Sequence, residues 1–138
     1  MNDKMFIDTN IWVYAKIDGN DSIKHKKAIS LLRNLPNQIV ISTQVINEYY
    51  SALSKNKIKD IDIQTSIEQI LPNVNVQAIS IATIKKSWDV KLKYNFSVYD
   101  SLIIASALEA DCKILYTEDL QHNQLIENKL RVVNPFID

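Results

Sequence analysis

Four carboxylates in this chain stand where folding has little need of them. Asp8 ends the apolar run Met5-Phe6-Ile7 and leads into Thr9-Asn10, and Glu48 interrupts Val45-Ile46-Asn47-Glu48-Tyr49-Tyr50. Asp100 opens the apolar stretch Ser101-Leu102-Ile103-Ile104-Ala105, and Asp119 closes Lys113-Ile114-Leu115-Tyr116 through Thr117-Glu118. Strand ends and helix starts are where open α/β sheets build their sites. Carboxylates gathered there repel one another unless a cation sits between them. The pattern points to a divalent metal, and an all-oxygen donor set suits magnesium or manganese. Such an ion makes water nucleophilic and stabilises a leaving oxygen, so phosphate chemistry then needs no side-chain nucleophile. The two histidines fit this: His25, among lysines, reads as a surface residue, and His122, past Asp119, reads more readily as an exposed loop residue than as part of a pocket.

Each acid also has an ordinary explanation. Ser97-Val98-Tyr99-Asp100 matches a capping box, and an anion is favoured at a helix start. Asp8 could cap the next helix, although Thr9 and Asn10 are equally able. Glu48 alone reads as an exposed helical glutamate. Spacing does not decide whether Glu118 or Asp119 points inward, and Thr117 could cap a short turn. The set is more informative than its members.

The elements that must position these residues follow from periodicity and punctuation. Strands are expected at 4–8, 39–42, 74–79, 113–116 and 131–133. Helices are expected at 10–17, at 22–35 (stopped by Pro36), at 43–54 with Ser42 as N-cap, and at 61–71 (stopped by Pro72) with Ile63, Ile67, Ile70 and Leu71 on one side. A further helix carries Ile81, Ile84, Trp88 and Leu92 as its apolar stripe, with Lys85, Lys86 and Lys93 away from it. Residues 98–110 form the most apolar helix. Short apolar strands alternating with helices predict an α/β fold with a mainly parallel sheet. The carboxyl ends of its strands then share one rim, within reach of Asp8, Asp100 and Asp119.

With 138 residues, 46% apolar and 23% charged, the composition is that of one soluble domain, residues 1–138, able to bury a core without disulfides. Formal net charge is zero, so composition alone makes no case for nucleic-acid binding. Lysines still cluster: Lys24, Lys26 and Lys27 with Arg33; Lys55, Lys57 and Lys59; and Lys85, Lys86, Lys91 and Lys93. Taken alone these read as solvated helix faces. The single glycine, Gly19, sits in the turn Asp18-Gly19-Asn20-Asp21, which removes glycine-rich phosphate loops from consideration. The single cysteine, Cys112, reads as a buried free thiol, and one Cys with two His makes no zinc site. The lone cysteine suggests a reducing compartment, so a cytoplasmic setting is expected; no apolar stretch spans a bilayer, and Met1-Asn2-Asp3-Lys4 lacks the layout of a secretory signal. Trp12, Tyr14, Tyr49 and Tyr50 could stack bases, but at helical spacing they read more readily as core or interface residues.

Taken together, Phe6-Ile7-Asp8-Thr9-Asn10-Ile11, Asn47-Glu48, Tyr99-Asp100-Ser101-Leu102-Ile103-Ile104-Ala105-Ser106-Ala107, Leu115-Tyr116-Thr117-Glu118-Asp119-Leu120 and Val132-Val133-Asn134-Pro135-Phe136 resemble the PIN domain, in particular VapC-like toxin ribonucleases. The resemblance spans nearly the whole chain. It implies a three-layer α/β/α domain around a central, mainly parallel sheet. It implies catalytic acids at Asp8, Glu48, Asp100 and Asp119, with Asp8, Asp100 and Asp119 as metal ligands and Thr9, Asn10, Thr117 and Glu118 as support. Relatives often carry a small residue where this chain has Asn123. The implied activity is magnesium- or manganese-dependent hydrolysis of RNA phosphodiesters, restrained by an antitoxin whose helix binds a hydrophobic groove, in a domain that commonly dimerises. Lys24, Lys27, Lys85 and Lys86 would then hold the RNA backbone.

Two other classes compete. A related nuclease acting on DNA flaps would usually carry further segments to clamp a branched substrate. A phosphoacceptor receiver needs an acidic pair after the first strand, where this chain has Asp8-Thr9-Asn10, and a haloacid-type phosphatase needs an Asp where Asn10 stands.

Overall fold

The computed structural model describes residues 3–35 and 38–137. Pro36, the expected stop of the second helix, lies outside them. The described residues form six α-helices and six strands. These are β1 (Met5–Ile7), α1 (Thr9–Lys16), α2 (Ser22–Asn34), β2 (Ile39–Ser42), α3 (Thr43–Lys55) and α4 (Asp60–Ile70). A 3₁₀ turn at Leu71–Asn73 precedes β3 (Asn75–Gln77), α5 (Ile81–Tyr94), α6 (Val98–Glu109), β4 (Ile114–Tyr116), β5 (Leu125–Ile126) and β6 (Leu130–Val133).

The sheet order is β3-β2-β1-β4-β6-β5. Every pairing is parallel except β5 with β6. β1 is central because it is apolar on both faces: Met5, Phe6 and Ile7 are all buried. Alternation along the strand sends Phe6 into a core shared with α5 and α6, and Ile7 into one shared with α1 and α2. A third cluster joins Tyr49 and Leu53 of α3 to Ile63 of α4. This is the expected three-layer α/β architecture.

Local chemistry sets the boundaries. The Ser42 hydroxyl accepts from Val45 N and starts α3 directly after β2. With one glycine available, the tight turns use other residues: Lys57, Asn95, Asp111, Asn123, Glu127 and Asn128 all have positive φ. Asn and Asp tolerate that region best, so Asn123 accommodates its turn without a small side chain. Glu127 is held there by Lys93 at 2.7 Å and by the Tyr94 hydroxyl.

Two expectations are corrected. The β5 strand was not anticipated; at two residues it carries no readable alternation. The apolar stripe of α5 also faces the other way: Ile81, Trp88 and Leu92 are 69%, 56% and 87% exposed, while Thr83, Ser87 and Val90 are buried. Small hydroxyl side chains let α5 lie close against α6, and they meet their hydrogen-bonding needs locally. Ser87 donates to Ile84 O, and Thr83 closes a capping box with Ser80. Cys112 is buried as expected, and burial pushes its thiol up to about 12. Among the described residues no helix is long and apolar enough to cross a membrane.

Candidate active site

Because β1 and β4 run parallel with Ile7 opposite Tyr116, the residues after each strand emerge side by side at one rim. Asp8 N donates to Tyr116 O at 3.0 Å and Thr117 N to Val133 O at 3.1 Å, which carries the sheet's ladder into both loops. The start of α3 follows β2 at the same rim and brings Glu48 inward. Asp100 arrives from the first turn of α6. The four acids meet in one cleft of about 390 Å³, with Thr9, Asn10, Tyr14, Gln44 and Tyr99 also in its walls.

Asp8 is the deepest, 5% exposed. Its Oδ1 accepts from Thr9 N at 2.7 Å, the cap of α1. Its Oδ2 accepts from the Thr117 hydroxyl at 2.8 Å and, more weakly, from Asn10 Nδ2 at 3.5 Å. Burial still pushes its carboxyl up to about 7; the Thr117 and Thr9 bonds pull the other way, and the nearby charges of Asp119 and Glu48 add to the rise. Asp119 sits nearer the surface. Burial and the charge of Asp100 raise its carboxyl too, against the hydrogen bond from Asn10 Nδ2 at 3.1 Å.

Glu48 is gripped at both oxygens, by the Thr9 hydroxyl at 2.8 Å and by Gln44 Nε2 at 3.2 Å. Asp100 differs. Ser97 caps its backbone N–H at 3.1 Å, but the return half of the expected capping box does not form, and among the described residues the Asp100 carboxylate has no hydrogen-bond partner. It lines the cleft unengaged, so capping does not account for its side chain.

At the adjacent acidic pair the two residues divide. Asp119 lines the cleft. Glu118 accepts from Tyr14 OH at 2.8 Å and pairs with Lys24 at 2.7 Å. Thr117 is fully buried and links the strand end to three groups: it donates to Asp8 and accepts from Asn10 Nδ2 and Asp119 N.

The other candidates lie elsewhere. Lys27 contacts Phe136 O at 3.3 Å, while Lys85 and Lys86 are exposed on α5 outside the cleft lining. His122 accepts from Asn134 N at 3.0 Å and is not in the cleft. His25, read as a surface residue, is instead half-buried, with Nδ1 2.7 Å from Tyr14 O. Trp12 donates to Ile7 O and packs in the core, and buried Tyr49 shares a 2.6 Å bond with Ser66. Sequence reasoning missed Gln44 and the cleft-lining place of Tyr99; the readable signal for Gln44 is its position one helical turn before Glu48.

Among the described residues, no group of three or more His, Cys, Asp or Glu side chains stands close enough to enclose a bare ion. The donor chemistry is nonetheless uniform: carboxylate oxygens facing one cleft, with Asp8 and Asp119 both destabilised as anions by burial and by neighbouring acids.

A family model, PIN domain, matches residues 5–127. No curated protein sequence matches the chain significantly. Among solved structures, the chain resembles the sarcin-ricin loop cleaving toxin VapC20 of Mycobacterium tuberculosis at 17% identity and TM-score 0.71, over 84% of this chain and 92% of that one. It resembles a toxin–antitoxin complex from Klebsiella pneumoniae at 22% and 0.72, over 96% and 98%. VapBC2 from Rickettsia felis, bound to a fragment of its promoter DNA, follows at 23% and 0.60, over 94% and 98%. The parallel rim that gathers the acids and the family match over most of the chain agree: this chain belongs to the PIN domain family.

Proposed function

We propose that the protein is a divalent-metal-dependent endoribonuclease acting as the toxin of a toxin–antitoxin pair in the cytoplasm. The observation that carries this reading is the convergence of Asp8, Glu48, Asp100 and Asp119 on one cleft. Asp8, Asp100 and Asp119 would hold magnesium or manganese. Since among the described residues no three acids stand close enough to enclose a bare ion, the ion would keep several waters and take one or two of these carboxylates directly and the rest through water. When bound, the metal supplies an activated water and charge stabilisation for the leaving oxygen. Thr117, Thr9 and Asn10 fix the carboxylates; Glu48, held at both oxygens, would orient water. Lys86, exposed on α5 away from the Ile81–Trp88–Leu92 stripe, would meet RNA phosphates, while Lys85 lies beside that stripe.

The test is cleavage of total cellular RNA by the purified protein with manganese, with magnesium and with chelator, beside a branched DNA. Discrete RNA fragments that vanish with chelator are expected. Folded protein that cuts only the branched DNA, or nothing under either metal, would remove the reading.

Two surfaces rich in apolar side chains support an antitoxin and a second copy of the chain as partners. A cleft of about 410 Å³ lined by Trp12, Ala15, Leu32, Ile39, Ile70 and Val74 among others fits an antitoxin helix. The outward stripe of α5 fits a second copy of the chain, since Ile81, Trp88 and Leu92 are too exposed to serve this domain's own core. Leu92→Glu is expected to turn a dimer into a monomer in sedimentation equilibrium while the circular dichroism spectrum stays that of the folded protein. A wild-type protein already monomeric at tens of micromolar would rule that face out.

A further inference from the structure

Lys24 reaches from α2 to the loop that carries Asp119. Its ammonium stands 2.7 Å from Glu118 Oε2 and 3.4 Å from the Tyr14 hydroxyl, and that hydroxyl donates to the other Glu118 oxygen. The same ammonium lies 5.1 Å from the Tyr14 ring centre and 5.5 Å from that of Phe136. The two rings meet edge-on at 5.2 Å. Segments distant in sequence thus close around one cation, whose contacts with the ring faces add to its ion pair. The pair is also better shielded than the surface pair Lys93–Glu127: 32% and 21% side-chain exposure against 62% and 39%.

The loop's backbone makes this matter. Glu118 N donates to Asn10 Oδ1 and Asp119 N to Thr117 Oγ1, so both residues are pinned at the main chain. Only one of two neighbouring side chains can then face the cleft. Without an outside partner, Glu118 is a fifth acid beside four others, free to compete for the place of Asp119.

We infer that Lys24 is a positioning residue: with Tyr14 it holds Glu118 outside, and thereby fixes Asp119 as the acid that faces the cleft. This deepens the nuclease reading and rests on it. It also gives Lys24 a role other than gripping RNA phosphates, and the two roles separate by experiment. Charge alone predicts that removing a cation beside the carboxylates tightens metal binding; loss of positioning predicts that it weakens.

The measurement is the manganese concentration for half-maximal thermal stabilisation of the RNA-free protein, alongside kcat and KM for RNA cleavage. Lys24→Met is expected to raise the manganese midpoint about tenfold, the usual scale for losing a supporting group at a metal site. Lys24→Arg keeps the pair with Glu118 and stays near wild type. Lys24→Met combined with Glu118→Gln recovers most of the loss, because no competing acid remains. Tyr14→Phe, which keeps both ring contacts and removes only the hydroxyl bond, shifts the midpoint the same way by less, and it carries the test if Lys24→Met folds poorly. An unchanged or lowered midpoint overturns the inference, and a raised RNA KM with a shallower salt dependence then marks Lys24 as a phosphate contact. A wild-type protein that manganese does not stabilise overturns the metal reading itself, and this inference with it.

Discussion

Asp100→Asn is expected to cut RNA cleavage by more than about a hundredfold while leaving the fold intact. Groups that merely support metal ligands cost about 10–100-fold when lost, so a carboxylate proposed to hold the ion directly sets the upper end as a floor. The fold is indifferent because Ser97 caps the backbone N–H of residue 100, not its side chain, and the carboxylate has no hydrogen-bond partner among the described residues. What is lost is its attraction to the start of α6, about 0.3–1 kcal/mol. Steady-state cleavage and thermal unfolding measured on the same preparation check both halves. Cleavage at the wild-type rate would remove Asp100 from the site; gross unfolding would show that its role is structural.

Asp8→Asn is expected to abolish cleavage and yet stabilise the metal-free protein at pH 8. Burial raises the Asp8 carboxyl from 3.8 to about 7. Below the lower value it is protonated in both the folded and unfolded states. Between the two values the unfolded chain releases its proton while the folded protein keeps it, so stability falls as pH rises. Above about 7 the penalty is complete. At about 1.4 kcal/mol per pKa unit it amounts to about 4 kcal/mol. Asparagine removes it but gives back one or two hydrogen bonds to Thr117 and Asn10 at about 1 kcal/mol each, which leaves a gain of about 2–3 kcal/mol. Thermal melts in chelator at pH 5 and pH 8 test this. Wild type and variant should draw together at pH 5 and separate at pH 8; parallel curves would mean that Asp8 is not held against its charge. Asp119, also raised, adds a slope of the same sign, which the difference between the two proteins cancels.

Much of this was legible before any coordinates. Alternation of short apolar runs with helical periodicity fixes the parallel sheet, and strand ends place Asp8 and the loop 117–119 at one rim. Ser42 announces the start of α3. Other features were unreadable for physical reasons. The α5 stripe misleads because hydrophobicity ranks Trp88 and Leu92 above Thr83 and Ser87, whereas the choice of buried face was made by how closely two helices could pack. The orientation of Glu118 depends on Lys24, 94 positions away, and no local spacing encodes that. Gln44 bonds both Glu48 and Tyr99 O, a role visible only once α3 and α6 are side by side.

The central place of β1 also sets a timetable. Of these strands β1 is made before its neighbours; it takes β2 on one side, but its other neighbour is β4, and Asn10 must wait for Thr117, 107 positions later. At 5–20 residues per second that interval lasts roughly 5–20 s. Until it has passed, Asp8 has neither its hydroxyl donor nor its acidic neighbours in loop 117–119. A nascent chain therefore lacks its complete set of cleft acids until loop 117–119 has been made, and so does any fragment that ends before that loop. For an enzyme whose proposed substrate is RNA, this order of assembly is a safeguard: the machinery that makes the protein meets no complete set of acids until loop 117–119 has been added.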